Sequence, residues 1–284
     1  MLSTNLRTAL FTFTFCVLAL LQCSTELAGG AGAGNPATIA IVAEGANSDT
    51  TKTRVDYSKN TFETVDDSVL DIVLVDGDNM PIVVKGVFLL ATKLNFPIPE
   101  GIDTANDVID PLYIDSGSLH LDGPFVFDIL YGTSRPPTSF NLPNGVYENV
   151  HLCISPTNDS TIINAIDTNF NTYEIIIKGT FSYEDTTRNI TIFILCDTCV
   201  TFHAQAGGII LANENHVALL IELDEKEWLS DVHIKGCIKQ GEVTFDDEGN
   251  LVIRDNPTGQ GPSAQLAERI KRNIFNSGVF KREM

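Results

Sequence analysis

The chain has 284 residues, 43% of them hydrophobic, and its mean hydropathy is +0.08. This composition excludes a disordered polyelectrolyte, and the length allows one large or two small hydrophobic cores. The formal charge is −19, and no basic cluster with interleaved aromatic residues occurs between positions 23 and 256, so we predict that nucleic acid is not a partner.

An apolar run over residues 8–21 follows Arg7 near the start of the chain. It fits the core of a secretory signal and is too short to span a bilayer permanently. Cys23, followed by Ser24, resembles the lipobox of bacterial lipoproteins, in which the signal is removed and the cysteine is acylated. Cleavage by ordinary signal peptidase near residues 28–31 is the alternative.

We therefore expect a signal peptide over residues 1–22 and a lipid on Cys23 that attaches the protein to a membrane. The expected location is the cell envelope, on the outer membrane or facing the periplasm. Residues 23–36 are small and glycine-rich, which is typical of a flexible tether.

From residue 37 onward, short runs rich in Val, Ile, Phe and Thr alternate with clusters of Asp, Asn, Gly and Pro. This pattern predicts an all-β fold, a β-sandwich over residues 37–255. The predicted strands lie at about 37–43, 69–75, 82–91, 108–121, 124–130, 146–154, 173–183, 189–195, 199–205, 216–223, 232–238, 241–246 and 250–254. Two hairpins are expected, joining residues 173–181 to 189–194 and residues 242–245 to 251–253.

Residues 256–284 contain the strongest helical pattern of the chain. Ser263 can cap a helix over residues 264–276, with Leu266, Ile270 and Ile274 on one stripe and Gly278 as its end. We predict a C-terminal amphipathic helix whose stripe lies on the sandwich. Its basic residues are expected to face the acidic body, with binding of an anionic partner as the alternative; they are Arg269, Lys271 and Arg272.

Outside the signal and the lipid site, the cysteines are Cys153, Cys196, Cys199 and Cys237. In an oxidising compartment an even number of thiols predicts two disulfides, and three pairings are open. Cys196 and Cys199 also have the spacing of half a zinc site, but the second short pair of a zinc ribbon is missing. Residues three apart on a flat strand point to opposite faces, so we expect pairing with distant cysteines and predict no metal and no cofactor.

No catalytic motif stands out in the sequence. Neighbouring carboxylates occur at Asp66 and Asp67, at Asp76 and Asp78, and at Asp246 and Glu248. The second and third pairs lie beside Gly and Asn, so a turn is the first interpretation and a calcium site the second. Trp228 is expected to pack in the core or at a strand end, with sugar stacking as the alternative.

Two segments carry a resemblance to a known family: residues 125–130 read FVFDIL and residues 142–152 read LPNGVYENVHL. They resemble a widespread family of bacterial and archaeal lipoprotein domains of unknown function, in which a Phe-Asp-Leu-Leu strand precedes a Leu-x-x-Gly-x-Tyr turn and a strand ending in Ile-Arg-Leu. His151 stands where that family often has arginine. The resemblance implies a transthyretin-like, immunoglobulin-like or related β-sandwich, and it implies no activity.

At this turn, Gly145 permits a tight bend, and the hydroxyl of Tyr147 can reach a backbone partner as at a sandwich corner. The first hypothesis for function is a non-enzymatic envelope lipoprotein that binds a protein or a glycan. One alternative is a secreted, glycan-directed hydrolase that uses paired carboxylates. The other is an envelope metal-binding protein that uses Cys196, Cys199 and nearby histidines.

Overall fold

A computed structural model describes residues 34–43, 72–103, 111–159, 167–205 and 207–283. The predicted signal peptide, the lipid site at Cys23, all but the end of the tether, and the pair Asp66 and Asp67 lie outside these residues. All of these described residues belong to one compact unit.

The described residues contain sixteen strands and two α-helices. The strands are β1 (Asn35–Ala43), β2 (Ile72–Val75), β3 (Pro81–Pro97), β4 (Tyr113–Asp115), β5 (Ser118–Asp128), β6 (Thr133–Arg135), β7 (Ser139–Leu142), β8 (Gly145–Tyr147), β9 (Asn149–Ile154), β10 (Ile175–Tyr183), β11 (Thr186–Ile194), β12 (Thr198–His203), β13 (Ile209–Leu211), β14 (Val217–Leu223), β15 (Leu251–Arg254) and β16 (Gly278–Arg282). The helices are α1 (Ile234–Gln240) and α2 (Pro262–Asn276), with 3₁₀ helices at Thr168–Asn171 and Glu225–Glu227.

The strands form two large sheets and a small one. The first has the order β16-β14-β1-β7, with β1 and β14 parallel. The second has ten strands: its main path is β12-β9-β3-β10-β11-β15, and β2, β4, β5 and β6 extend it from β3. Strands β8 and β13 pair with each other. The long strand β3 joins the two halves of the second sheet. Its first half pairs with β10 and β2, and its second half pairs with β9 and β5.

One hydrophobic core contains residues of both large sheets. Ile39 and Ile41 of β1 and Ile221 of β14 belong to the same buried cluster as Leu89 of β3 and Phe127 of β5. Two sheets that share one apolar interior form a sandwich-like, all-β fold, so the predicted fold class is confirmed.

The outward face of the ten-stranded sheet has a second, smaller apolar cluster at its centre. Leu90, Val126, Ile176 and Phe193 meet there with Phe170 of the 3₁₀ helix Thr168–Asn171. This cluster covers the middle of the outward face, where β3 pairs with β10. Toward β9 and β12 the outward residues become polar.

The first predicted hairpin is confirmed and is tighter than expected. Strands β10 and β11 pair in register from Ile175 with Ile194 to Tyr183 with Thr186. The two residues between them, Glu184 and Asp185, have φ values of 50° and 59°. Positive φ at both central positions is the geometry of a type I′ turn, which matches the twist of an antiparallel pair.

The second predicted hairpin is wrong except for one bridge, between Phe245 and Leu251. Strand β15 instead pairs in parallel with the edge of β11, which buries Leu251 and Ile253. The predicted strand over residues 232–238 is also wrong, since helix α1 occupies this segment. The helix ends at Gly241, whose φ of 71° is left-handed and suits a helix C-terminus.

Helix α2 buries the predicted stripe of Leu266, Ile270 and Ile274. It begins at Pro262, and its N-cap residue makes no side-chain hydrogen bond, so the cap predicted for Ser263 is wrong. The hydroxyl of Ser263 instead bonds the backbone N–H and carbonyl of Arg254, fixing the helix to the end of β15. Gly278 begins β16, a strand that the sequence pattern did not predict.

The basic residues of α2 face the body, as predicted. Arg269 donates to the carbonyl oxygen of Asp231 at 2.8 Å, and Arg272 lies 3.8 Å from the Asp231 carboxylate. Lys271 donates to the carbonyl oxygen of Leu195 at 3.1 Å. These contacts join the helix to two loops of the sandwich.

Candidate ligand-binding face

The outward side of five adjacent strands, β12, β9, β3, β5 and β4, is polar. Side chains alternate along a strand, so the neighbours of the buried Phe202, Leu152 and Leu94 point away from the core. The outward residues form two rows of cross-strand partners, which together we name the polar platform. The first row is Thr201, His151, Asn95, His120 and Tyr113, and the second is Cys199, Cys153, Lys93 and Asp122.

Hydrogen bonds of Asn95 link the first row to β5 and to the second row. Asn95 Oδ1 holds Nδ1 of His120, and the carbonyl oxygen of Asp115 holds the other ring nitrogen at 2.8 Å. The amide of Asn95 donates to Cys153 Sγ at 3.4 Å. Since Asn95 contacts both rows, it holds the centre of the platform in one arrangement.

Tyr113 closes the β4 end of the platform. Its ring stacks on His120 with the centroids 5.4 Å apart, and its hydroxyl donates to Asp122 at 2.8 Å. Lys93 lies 3.6 Å from the same carboxylate. The hydrogen bond with Tyr113 and the charge of Asp122 raise the pKa of Lys93. Tyr113 is 37% exposed, so part of this aromatic group is open to a ligand.

At the other end, His151 Nδ1 and Thr201 Oγ1 are 2.7 Å apart. Burial lowers the pKa of His151, and the charge of the nearby His203 lowers it further. At a spacing of about 4.8 Å between strands, the platform is roughly 19 Å wide. It is a face and not an enclosed pocket.

A disulfide joins Cys153 to Cys199, which are direct partners on β9 and β12. Cys196 and Cys237 are free thiols, so the second predicted disulfide is not formed. Cys196 is buried, which raises its pKa to about 12, and Cys237 lies on α1, where burial raises its pKa to about 11. These raised pKa values favour the thiol over the reactive thiolate at neutral pH.

This pairing removes the half zinc site considered for Cys196 and Cys199, because Cys199 belongs to the disulfide. In the part of the chain that the structure describes, no group of three or more His, Cys, Asp or Glu side chains could hold a metal ion.

The carboxylates of Asp76 and Asp78 bind the backbone. Asp76 accepts the N–H groups of Met80 at 2.7 Å and Lys235 at 3.0 Å, and Asp78 accepts that of Gly236 at 2.7 Å. They therefore close the turn between β2 and β3 and cap the first turn of α1 from a distant part of the chain. The turn interpretation holds, and the long-range cap explains why the local pattern missed α1.

The other described carboxylate pair is also part of a turn. Asp246 accepts the N–H groups of Glu248 at 3.0 Å and Asn250 at 2.8 Å. Backbone hydrogen bonds, first that of Asn250, lower the pKa of Asp246. Its carboxylate thus stabilises the loop before β15.

Trp228, Tyr147 and Gly145 each have a clear role in the fold. Trp228 is fully buried, so it packs in the core and presents no surface to a sugar. The hydroxyl of Tyr147 donates to the carbonyl oxygen of Pro143 at 2.9 Å, as the corner geometry predicted. Gly145 has a φ of 151°, and a Cβ there would lie 2.2 Å from Pro99, so only glycine fits.

A cavity of about 350 Å³ lies beside β2, where its lining includes Val73, Val75, Lys226 and Ser230. No platform residue lines it. It has a small number of polar groups, and those of Asp76 already bond to the backbone. The platform is therefore the stronger candidate for a binding site.

Comparison with known proteins adds no assignment: no family model, no curated protein and no solved structure matches the chain. The resemblance to the lipoprotein family therefore stays a prediction. None of the helices in the described ranges is long and apolar enough to cross a membrane.

The sequence interpretation missed the platform as a unit. Its signal is present in the alternation of polar and apolar residues at positions 93–96, 119–122, 150–153 and 199–202. Alternation shows which residues share a face of one strand. It does not show which strands become neighbours, and that order decides which polar residues meet.

Proposed function

We propose that this chain is a non-enzymatic lipoprotein of the bacterial cell envelope that binds a glycan on the polar platform. The observation that carries the proposal is the first row, in which the register of five strands places Thr201, His151, Asn95, His120 and Tyr113 side by side. His151 bonds to Thr201 and Asn95 bonds to His120, and the buried ring of His120 supports that of Tyr113 by stacking. Such preorganisation lowers the entropy lost on binding.

The chemistry of the platform suits a ligand rich in hydroxyl groups. The carboxylate of Asp122 accepts, the ammonium of Lys93 donates, and the hydroxyl of Thr201 does either. Tyr113 adds an exposed aromatic surface next to these polar groups. The formal charge of −19 opposes an anionic ligand, so a neutral glycan is favoured.

The proposed anchor places this platform near a membrane. Strand β1 begins at Asn35, so the tether from Cys23 to the body is residues 24–34. Fully extended, this segment spans at most about 40 Å, since each residue covers roughly 3.3–3.6 Å. A glycan of the same envelope is within reach of a body held on such a tether.

The glycan proposal is tested by measuring binding of neutral envelope glycans to the wild type and to two tyrosine variants. Tyr113→Ala removes the aromatic end of the platform and should weaken binding roughly ten-fold or more, as loss of a central contact does. Tyr131→Ala is the matched control, because Tyr131 is 38% exposed and lies outside the platform. We expect its affinity to equal that of the wild type.

The glycan proposal would be ruled out if Tyr113→Ala and Tyr131→Ala bound the glycan with equal affinity. It would also be ruled out if the wild type bound no neutral glycan. Capture of an envelope protein that depends on Tyr113 would instead assign the platform to a protein partner. That result would keep the site and replace the ligand class.

The anchor is tested separately, by metabolic labelling with a palmitate analogue. The wild type should carry the label and sediment with membranes, and Cys23→Ala should lose the label and be released. Cys237→Ala is the control, since it removes a different free thiol. An unlabelled wild type would contradict the lipoprotein assignment and leave the platform unaffected.

A further inference from the structure

Two histidines lie diagonally across the β9–β12 pair. His151 is opposite Thr201, and His203, two residues further along β12, is opposite Asn149. All four side chains are on the outward face, since Val150, Leu152 and Phe202 between them are buried. Diagonal neighbours on paired strands have their Cα atoms about 7–8 Å apart, within reach of long and aromatic side chains. Both imidazoles can therefore approach one point above the sheet.

The hydrogen bond of His151 uses Nδ1 and leaves the other ring nitrogen, Nε2, available to a ligand. Thr201 Oγ1 lies 2.7 Å from Nδ1, and the threonine hydroxyl can accept the proton that Nδ1 carries. In that tautomer the lone pair is on Nε2, which is the arrangement found in histidine ligands held by an outer-sphere acceptor.

A third group beside the histidines has an unused acceptor. The side-chain oxygen of Asn149 is buried, and no described residue donates a hydrogen bond to it. A buried acceptor without a partner costs free energy. A cation held above the outward face by His203 would be near this oxygen and could satisfy it, because Asn149 is the direct cross-strand partner of His203.

We propose that His151, His203 and Asn149 bind a divalent transition-metal ion of the zinc type at the β9–β12 end of the platform. Two imidazole nitrogens and one amide oxygen form a donor set that suits such ions, and water would fill the remaining position. Thr201 is a positioning residue that orients the His151 ring. The site uses none of the cysteines, because Cys199 is held in the disulfide.

The test is calorimetric titration of the purified, tag-free full chain with Zn²⁺ after treatment with a chelator. We expect one ion per chain for the wild type and at least a roughly ten-fold loss of affinity for His151→Ala and for His203→Ala. His216→Ala is the matched control, because His216 is also exposed and lies outside the platform. Its affinity should equal that of the wild type.

Thr201→Val tests whether Thr201 orients the His151 ring, separately from any loss of folding. It keeps both imidazoles and the β-branched shape, and it should weaken Zn²⁺ binding by about ten-fold, as loss of an outer-sphere partner does. A thermal melt of each variant without metal confirms that the fold is retained. If a histidine-to-alanine variant does not fold, His151→Gln and His203→Gln replace it.

No Zn²⁺ binding by the wild type would overturn the proposal. Equal losses in the His151, His203 and His216 variants would also overturn it, since they would indicate diffuse binding to an acidic surface. The titration contains no glycan, so its result is independent of the glycan proposal.

Discussion

The two faces of the ten-stranded sheet differ in what holds their side chains. On β3, Leu94 and Phe96 are fully buried in the core, whereas Lys93 and Asn95, which alternate with them, face outward and bond to residues of β5 and β9. The inward residues gain free energy by leaving water, and the outward ones exchange water for modest polar contacts. Core packing and the proposed ligand-binding face therefore use alternate residues of the same strands.

The largest expected effect is on the inward face. Phe96 is 0% exposed and contacts the rings of Phe140 and Tyr147, so Phe96→Ala should lower the free energy of unfolding by about 3–5 kcal/mol. Lys93→Ala, three residues before it on the outward face, should cost less than about 1 kcal/mol, because exposed ion pairs contribute little. Urea unfolding of both variants measures the difference. Similar losses of unfolding free energy in the two variants would contradict the idea that the inward face supplies most of the stability.

The disulfide is the outward feature that should affect stability. It closes a loop of 46 residues between β9 and β12. The chain-entropy model gives about 4 kcal/mol for a loop of this length, and disulfides typically contribute about 2–4 kcal/mol. We expect the double variant Cys153→Ala and Cys199→Ala to lose stability in this range. Cys237→Ala should unfold at nearly the same urea concentration as the wild type. A double variant as stable as the wild type would show that the crosslink does not constrain the unfolded chain.

The sequence pattern predicted the elements whose causes are local. Alternation of apolar residues located β9, β12 and β14, and the polar loop after Tyr183 located the β10–β11 turn. The apolar stripe of α2 was also predicted, because a repeat of apolar residues near 3.6 positions can be recognised without knowing which elements pack against the helix.

Elements and pairings with distant causes were missed. Helix α1 was not predicted, because it depends on Asp76 and Asp78, which cap it across more than 150 positions of sequence. The span of β15 was predicted, but its pairing was not, because that pairing depends on an open edge of β11. The platform has the same origin, since its rows exist only once β3 has brought β9 beside β5. Local pattern cannot predict which strands meet when the contacts are this far apart in sequence.

Glu174 is an exception to the apolar interior and gives a prediction that depends on pH. It is 1% exposed, and one of its oxygens accepts the N–H of Cys196 at 2.6 Å while the other has no partner among the described residues. Burial raises the pKa of Glu174 to about 7. A raised pKa means that its contribution to stability is fully present below the ordinary value of 4.5 and is lost as the pH rises through about 7.

Glu174→Gln should remove this dependence, because the amide keeps an oxygen for Cys196 and does not ionise. At pH 8 the variant should be more stable than the wild type by up to about 3 kcal/mol, and at pH 4 the two should be similar. Urea unfolding between pH 4 and 8 measures both curves. Asp185→Asn, which changes an exposed carboxylate in the β10–β11 turn, is the control and should follow the wild type. Parallel curves for Glu174→Gln and the wild type would show that Glu174 does not ionise in this range.

Asp122→Asn should have the smallest effect on stability. It tests directly whether the outward face can be changed without destabilising the fold. The Asp122 side chain is 56% exposed, and asparagine can still accept the hydroxyl of Tyr113, so stability should change by less than about 1 kcal/mol. The pKa of Lys93 should fall, because the charge of Asp122 helps to raise it, and nuclear magnetic resonance of the lysine side chain measures this. Glycan binding should weaken, since a charged acceptor forms stronger hydrogen bonds to hydroxyl groups than a neutral one. A loss of more than about 2 kcal/mol would mean that the platform supports the fold, and the separation of the two faces would then fail.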